Sequence, residues 1–302
     1  MLIKSGCKIN LGLKILDKRE DGYHNLKTIF YPLSMPDGYS DEISIEKTGT
    51  PHVEFSCNKP DIDPQNNTLT KAYNIFSEQY PLDFGLKIRL TKRIPHGAGL
   101  GGGSANGAEV LKYLHGQTNA PLSFARLCEM AGKIGADVPF FLYNTPCLGE
   151  GIGEKLTPIS LDLSQYILLL VMPDIQISTP WAFRKLAEQK KLLTRKKEQV
   201  NKARSEFLGN WYFKNDFEEI VFEKYQELAK TKEILLQENA VFASLSGTGS
   251  ALYAFFALEH ECRHAVNKLQ KQAFFHAWKY IDFPQHSEKK LNFSKNLTCH
   301  CS

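Results

Sequence analysis

The chain has 302 residues, 42% hydrophobic and 23% charged, with a net charge of +4. That composition leaves room for one large or two ordinary globular domains and excludes disordered and fibrous classes. The longest apolar runs, residues 166–172 and 251–258, are too short to span a bilayer, we expect no secretory leader, and seven scattered cysteines favour a reducing cytoplasm over a disulfide framework.

Residues 8–15 alternate, with Ile9, Leu11, Leu13 and Ile15 on one face and Lys8, Asn10, Gly12 and Lys14 on the other. This predicts a strand with Lys8 and Asn10 as neighbours on an open face. Asp17–Gly22 is a polar turn, and Asp21-Gly22 is a hairpin signal. A return strand then runs from Tyr23 through Phe30. Strands are predicted at 42–47, 52–57 and 86–91, with a helix at 68–79 carrying Leu69, Ala72, Tyr73 and Phe76.

The stretch from Pro95 to Ala108 organises the chain. It holds five glycines between Gly97 and Gly103, and glycine needs a reason for such density because it is entropically expensive to order. Gly107, Val110, Leu111 and Leu114 follow at helical spacing, and Gly116 is a stop signal. A side-chain-poor loop running into a helix N-terminus leaves amides free to hold an anion, so the loop reads as a phosphate cradle. The bland alternative is a flexible linker, which seldom runs into a patterned helix. No Gly-Lys-Ser/Thr occurs, which excludes a Walker A loop. A dinucleotide fingerprint fits poorly, because the preceding strand alternates and no acidic residue ends a strand about twenty residues on.

A second amphipathic helix carries Phe124, Leu127, Cys128 and Ala131 and stops near Gly135. Asp137, in Gly135-Ala136-Asp137-Val138-Pro139, reads most simply as a helix N-cap. Residues 149–154 form a tight turn between strands. The pattern restarts near residue 161, with a buried strand at 166–172 and a helix from Thr179-Pro180-Trp181. Asn215-Asp216-Phe217-Glu218 opens another helix with good caps. Strands at 241–245 and 251–256 flank Ser246–Ser250, and a helix from Glu259 and a strand at 274–283 follow. Between Arg184 and Arg204 there are nine Lys or Arg against two Glu. Without interleaved aromatics this segment reads as a solvated face, with nucleic-acid binding the alternative. Cys299-His300-Cys301 lacks a partner pair for a metal, and 284–302 reads as a flexible tail. The irregular mixture of helices and strands gives an α+β class.

The Lys8 strand, the Pro95–Ala108 loop and the Ser246–Ser250 turn together resemble the GHMP kinase superfamily. So do Asp21-Gly22-Tyr23-His24, Gly135–Phe141, Glu150–Glu154 and Asn215–Glu218. The resemblance covers nearly all of residues 4–283 and is greatest to members acting on a cytidine-diphosphate-linked polyol of the non-mevalonate route to isoprenoids. It implies a domain over 1–160 like ribosomal protein S5 domain 2, a ferredoxin-like domain over 161–283, and an active site in the cleft between them. It also implies a cytoplasmic small-molecule kinase using ATP and Mg²⁺, monomeric or homodimeric, with no membrane or nucleic-acid partner.

The resemblance makes Asp137 the proton acceptor and Lys8 its companion. Pro95, Gly97, Ala98, Gly99, Leu100, Gly101, Gly102, Gly103 and Ser104 would hold ATP, with Asn67 and Lys92 at its border and the Ser104 hydroxyl available to Mg²⁺. Tyr23 and Phe183 would face the cytosine and His24 would read its edge, though each alone reads equally as a core aromatic or a turn histidine. Asn10 and Thr179 would meet the polyol or diphosphate, and Ser246 and Gly247 would close over the site. Two departures stand out: Gly6-Cys7 where relatives have Pro-Ala, and Ser104-Ala105-Asn106 where they have a second serine. A homoserine or mevalonate-type kinase, or an inactive binding protein, are the competing readings.

Overall fold

The computed structural model describes residues 1–117, 122–196, 214–274 and 279–283. The tail 284–302, its Cys-His-Cys and the distal part of the basic segment lie outside the described residues.

Three four-stranded sheets organise the chain. The first has β1 (Leu2–Ser5), β4 (Asp41–Thr48), β6 (Gly85–Thr91) and β5 (Val53–Cys57) in the order β1-β4-β6-β5. Only β5 and β6 pair in parallel within it. Leu86, Ile88 and Leu90 face a helical layer of α1 (Thr68–Gln79), α2 (Gly102–Gln117), α3 (Phe124–Ile134) and α4 (Val138–Tyr143). Helix α1 spans the predicted residues, because Asn67 Oδ1 accepts the Leu69 and Thr70 amides and fixes its first turn.

The second sheet has the order β2 (Cys7–Lys18), β3 (His24–Leu33), β7 (Cys147–Glu150), β8 (Lys155–Pro158). The third has β10 (Phe242–Leu245), β11 (Leu252–Phe256), β9 (Ile167–Met172) and β12 (Lys279–Phe283), and every pairing in it is antiparallel. Between β9 and β10 run α5 (Thr179–Lys196), α6 (Glu218–Lys224) and α7 (Gln226–Gln237), and α8 (Glu259–Gln270) joins β11 to β12. A β-α-β-β-α-β sequence whose last strand lies beside its first is the ferredoxin-like arrangement.

Strand β9 explains how the halves join. Ile167, Leu169 and Val171 pack on the helices, whereas Leu168, Leu170 and Met172 pack on Ile9 and Leu11 of β2 and on Leu100. Both faces are therefore covered, and the strand is uniformly apolar although it is antiparallel.

Four expectations need correction. The face carrying Lys8 and Asn10 is not open: both are buried beneath the glycine loop and the Ser246 turn. Helix α2 begins at Gly102, so Gly102, Gly103 and Ser104 form its first turn rather than a loop. At the start of α6, Asn215 Oδ1 accepts the Phe217 amide (2.9 Å), but Phe217 holds the N-cap position, and the polar side chains of 215–218 also tie elements together. Asn215 donates to the carbonyls of Leu245 (2.8 Å) and Gly247 (2.7 Å), and Glu218 accepts from Ser244 and the Leu245 amide. Strand β1 and helix α7 were not expected. Strand β1 is only four residues long, and α7 follows α6 after the single residue Tyr225, so one pattern merges into the next.

Candidate active site

The strongest constraint on the site is the glycine loop. In Gly97-Ala98-Gly99-Leu100-Gly101, Ala98 and Leu100 are buried in the core shared with β9, which pins the loop by its alternate side chains. Gly99 has φ +75, and a Cβ there would stand 1.9 Å from the Ser246 carbonyl oxygen. Only glycine permits that contact between the glycine loop and the Ser246 turn. The amides that open α2 have no acceptors within the helix. A Cβ on Gly103 would meet nothing within 4 Å, and the Ser104 hydroxyl bonds to no described residue. A phosphate can therefore approach this first turn closely.

Lys8 lies beneath the loop. Its ammonium donates to Gly99 O (2.8 Å) and Asn10 Oδ1 (2.5 Å), and it stands 3.7 Å from Asp137 Oδ2. Burial lowers the Lys8 pKa, and the Asp137 carboxylate opposes that shift. Asp137 occupies the N-cap position of α4 with helical backbone angles, but its side chain makes no capping bond. The carboxylate instead faces the cleft and the lysine. Asn10 is held by the Thr28 hydroxyl (3.1 Å), and its amide donates to Ser246 Oγ (3.2 Å).

A cleft of about 810 Å³ opens over this pair. Lys8, Asn10, Asp137, Gly99 and Gly101 line one part, while Tyr23, His24, Thr179, Phe183 and Gly247 line the rest. These come from the β2–β3 hairpin, the α5 start and the Ser246 turn, which converge because β2 is packed on the third sheet. The Thr179 and Thr248 hydroxyls, both in the lining, share a hydrogen bond of 3.2 Å.

The ring cluster departs from expectation in one respect. His24 stacks on Phe183, with centroids 5.5 Å apart and planes 28° from parallel. No base fits between those two rings. Tyr23, 61% exposed, is the open aromatic surface, and Phe183 is braced edge-on by Phe217.

Of the expected loop residues only Gly99 and Gly101 line the cleft; Gly97, Ala98, Leu100, Gly102, Gly103 and Ser104 lie outside its lining, as do Asn67, Lys92 and Ser246. Asn67 spends its side chain on the α1 cap and on the Asp63 and Pro64 carbonyls. Lys92 is buried in an ion pair with Asp41. The Ser246 hydroxyl donates to Gly99 O (2.9 Å) and so braces the loop. Pro95 also lies outside the cleft lining.

Lys18 and Arg184 line the cleft and were not singled out by sequence. Neither forms an ion pair with a described residue. Glu188, also in the lining, is paired with Lys185, so the outer cleft carries positive potential. Their signal was weak: Lys18 ends a strand, and Arg184 merged into the basic run.

Two family models match: GHMP kinases N terminal domain over residues 67–145, and GHMP kinases C terminal over 189–274. The chain is 39% identical to the 4-diphosphocytidyl-2-C-methyl-D-erythritol kinase of Nitratidesulfovibrio vulgaris, with 89% of this chain and 94% of the relative covered. It is 42% identical to the enzyme of that name from Lawsonia intracellularis, with 84% and 88% covered. A crystal structure of 4-(cytidine 5'-diphospho)-2C-methyl-D-erythritol kinase superposes with a TM-score of 0.70 at 28% identity, covering 93% of this chain and 98% of that one. With a lysine–carboxylate pair beneath a glycine loop, and both halves matched, the chain belongs to the GHMP kinases.

Proposed function

We propose that the protein transfers the γ-phosphoryl group of ATP to the 2-hydroxyl of 4-(cytidine 5'-diphospho)-2-C-methyl-D-erythritol. The observation that carries this reading is the Lys8–Asp137 pair, 3.7 Å apart, at the meeting point of the glycine loop and an aromatic-walled cleft. Relatives bearing that activity in their names, similar over most of the chain, supply the acceptor.

The α2 amides and Gly99–Ser104 bind the phosphates through backbone donors and the helix dipole. Asp137 takes the hydroxyl proton as the acceptor oxygen bonds to the γ-phosphorus and the bond to the β-bridging oxygen breaks, releasing ADP. The Lys8 ammonium keeps Asp137 ionised and offsets charge on the attacking oxygen. Asn10, oriented by Thr28, and Thr179 hold the polyol. Tyr23 stacks on the cytosine, with His24 and Phe183 as its wall. Lys18 and Arg184 suit the substrate's diphosphate.

Mg²⁺ neutralises phosphate charge in such transfers. Among the described residues no cluster of three or more His, Cys, Asp or Glu exists to cage a metal. Of this chain's own groups, the Ser104 hydroxyl would hold the ion.

The test is label transfer from γ-labelled ATP to a panel: the cytidyl diphosphate polyol, its free polyol phosphate, homoserine and mevalonate. Label in the first alone is expected. Preferential labelling of homoserine or mevalonate would overturn the acceptor, and no transfer at all would support an inactive binding protein.

A further inference from the structure

The Lys92–Asp41 pair is left over from the site just described. Asp41, at the start of β4, is fully buried. Its Oδ1 accepts the backbone amides of Arg93 (2.7 Å) and Ile94 (2.8 Å), which lead into the glycine loop. Its Oδ2 accepts Asn106 Nδ2 at 3.0 Å, on the second turn of α2, where the chain leaves the loop. The Lys92 ammonium completes the set on Oδ2. One carboxylate thus holds both the entry and the exit of residues 95–101.

Lys92 also meets the first turn of α2 directly. A Cβ on Gly102 would lie 3.0 Å from its Nζ. Among the described residues, buried side-chain polar atoms without a partner include Ser5 Oγ, Ser40 Oγ and Asn106 Oδ1. They belong to the ladder partner, the predecessor and a donor of Asp41.

We infer that Asp41 is a positioning residue for ATP: it sets the spacing between the two ends of the phosphate loop, so that the amides are aimed before the nucleotide arrives. Amide cradles work by preorganisation, and a loop that must be ordered on binding gives up affinity. Asp41 touches neither nucleotide nor acceptor. Its effect belongs to ATP affinity rather than to the chemical step, and Lys92 serves as its counter-ion. This inference rests on the proposed kinase reading.

The experiment is steady-state kinetics of Asp41→Asn with each substrate varied in turn. Asparagine keeps one acceptor for the Arg93 and Ile94 amides but turns an amino group toward Lys92 and Asn106, which are both donors. The KM for ATP is expected to rise at least tenfold, with the acceptor KM within twofold and kcat at double saturation within threefold. A merely structural role would lower the active fraction, cutting kcat with both KM values unmoved, and would overturn the inference. Should Asp41→Asn not fold, Asn106→Ala cuts only the exit tie. It is expected to raise the ATP KM about threefold and spare the acceptor KM, and equal or absent changes in both would overturn the inference. Wild-type protein that transfers no phosphoryl group would instead overturn the kinase reading.

Discussion

Two buried lysines flank the glycine loop, and they are built oppositely. Lys92 is 3% exposed and its partner Asp41 is 0% exposed. Lys8 is 4% exposed, but Asp137 is 33% exposed and stands 3.7 Å away. Consecutive glycines separate them: a Cβ on Gly101 would lie 3.1 Å from Lys8 Cε, and one on Gly102 would lie 3.0 Å from Lys92 Nζ. In the closed pair both members are buried, and Asp41 ties the two ends of the loop. The open pair presents a carboxylate to the cleft while its lysine stays dry. Exposure of the carboxylate, rather than of the ammonium, distinguishes the two pairs.

The comparison breaks first at Asp137. Asp137→Ala is expected to lower kcat by roughly a hundredfold or more, the usual worth of a general base, with an unchanged far-UV spectrum because its side chain makes no capping bond. The closed pair predicts the converse. Lys92→Met strands a buried carboxylate and is expected to reduce stability by about 3–5 kcal/mol in denaturant titration, while kcat at saturating ATP stays within a few-fold.

The pH profile sharpens the contrast. Burial favours the neutral amine of Lys8, so its pKa lies below the ordinary 10.5. The ammonium is the active form, so activity is present below that lowered pKa and lost as pH rises through it. The alkaline limb of kcat/KM is expected on the acid side of 10.5. In Asp137→Asn the residual rate should fall at still lower pH, because the charge that supports the ammonium has gone. The smallest effect belongs to the outer cleft. Lys18→Gln with Arg184→Gln is expected to raise the acceptor KM about fivefold at low salt and less at high salt, as screening dictates for exposed charges.

The glycine loop was legible in the sequence because backbone chemistry leaves a residue signature: glycines where amides face out, Ala98 and Leu100 where side chains anchor. The α1 boundaries were legible because Asn67 caps locally. That Lys8, Asp137, Thr179 and Phe183 share one cleft was legible only through family resemblance, since they come from three separate elements and no local pattern links them. Sequence placed Lys92 beside the nucleotide and Asn10 on an open face. Both assignments missed burial, which depends on Asp41 and Ser246, distant residues that pack over them. The His24–Phe183 stack was equally invisible, because it joins β3 to α5 across the cleft.

The most direct measurement compares single-turnover phosphoryl transfer in Lys8→Met and Lys92→Met, with both substrates saturating. A rate at least a hundredfold slower in Lys8→Met is expected, with folded protein retained. In Lys92→Met a near-normal rate and a lowered midpoint of unfolding are expected. A fast Lys8→Met enzyme beside a folded but inactive Lys92→Met enzyme would contradict the assignment of chemistry to the open pair.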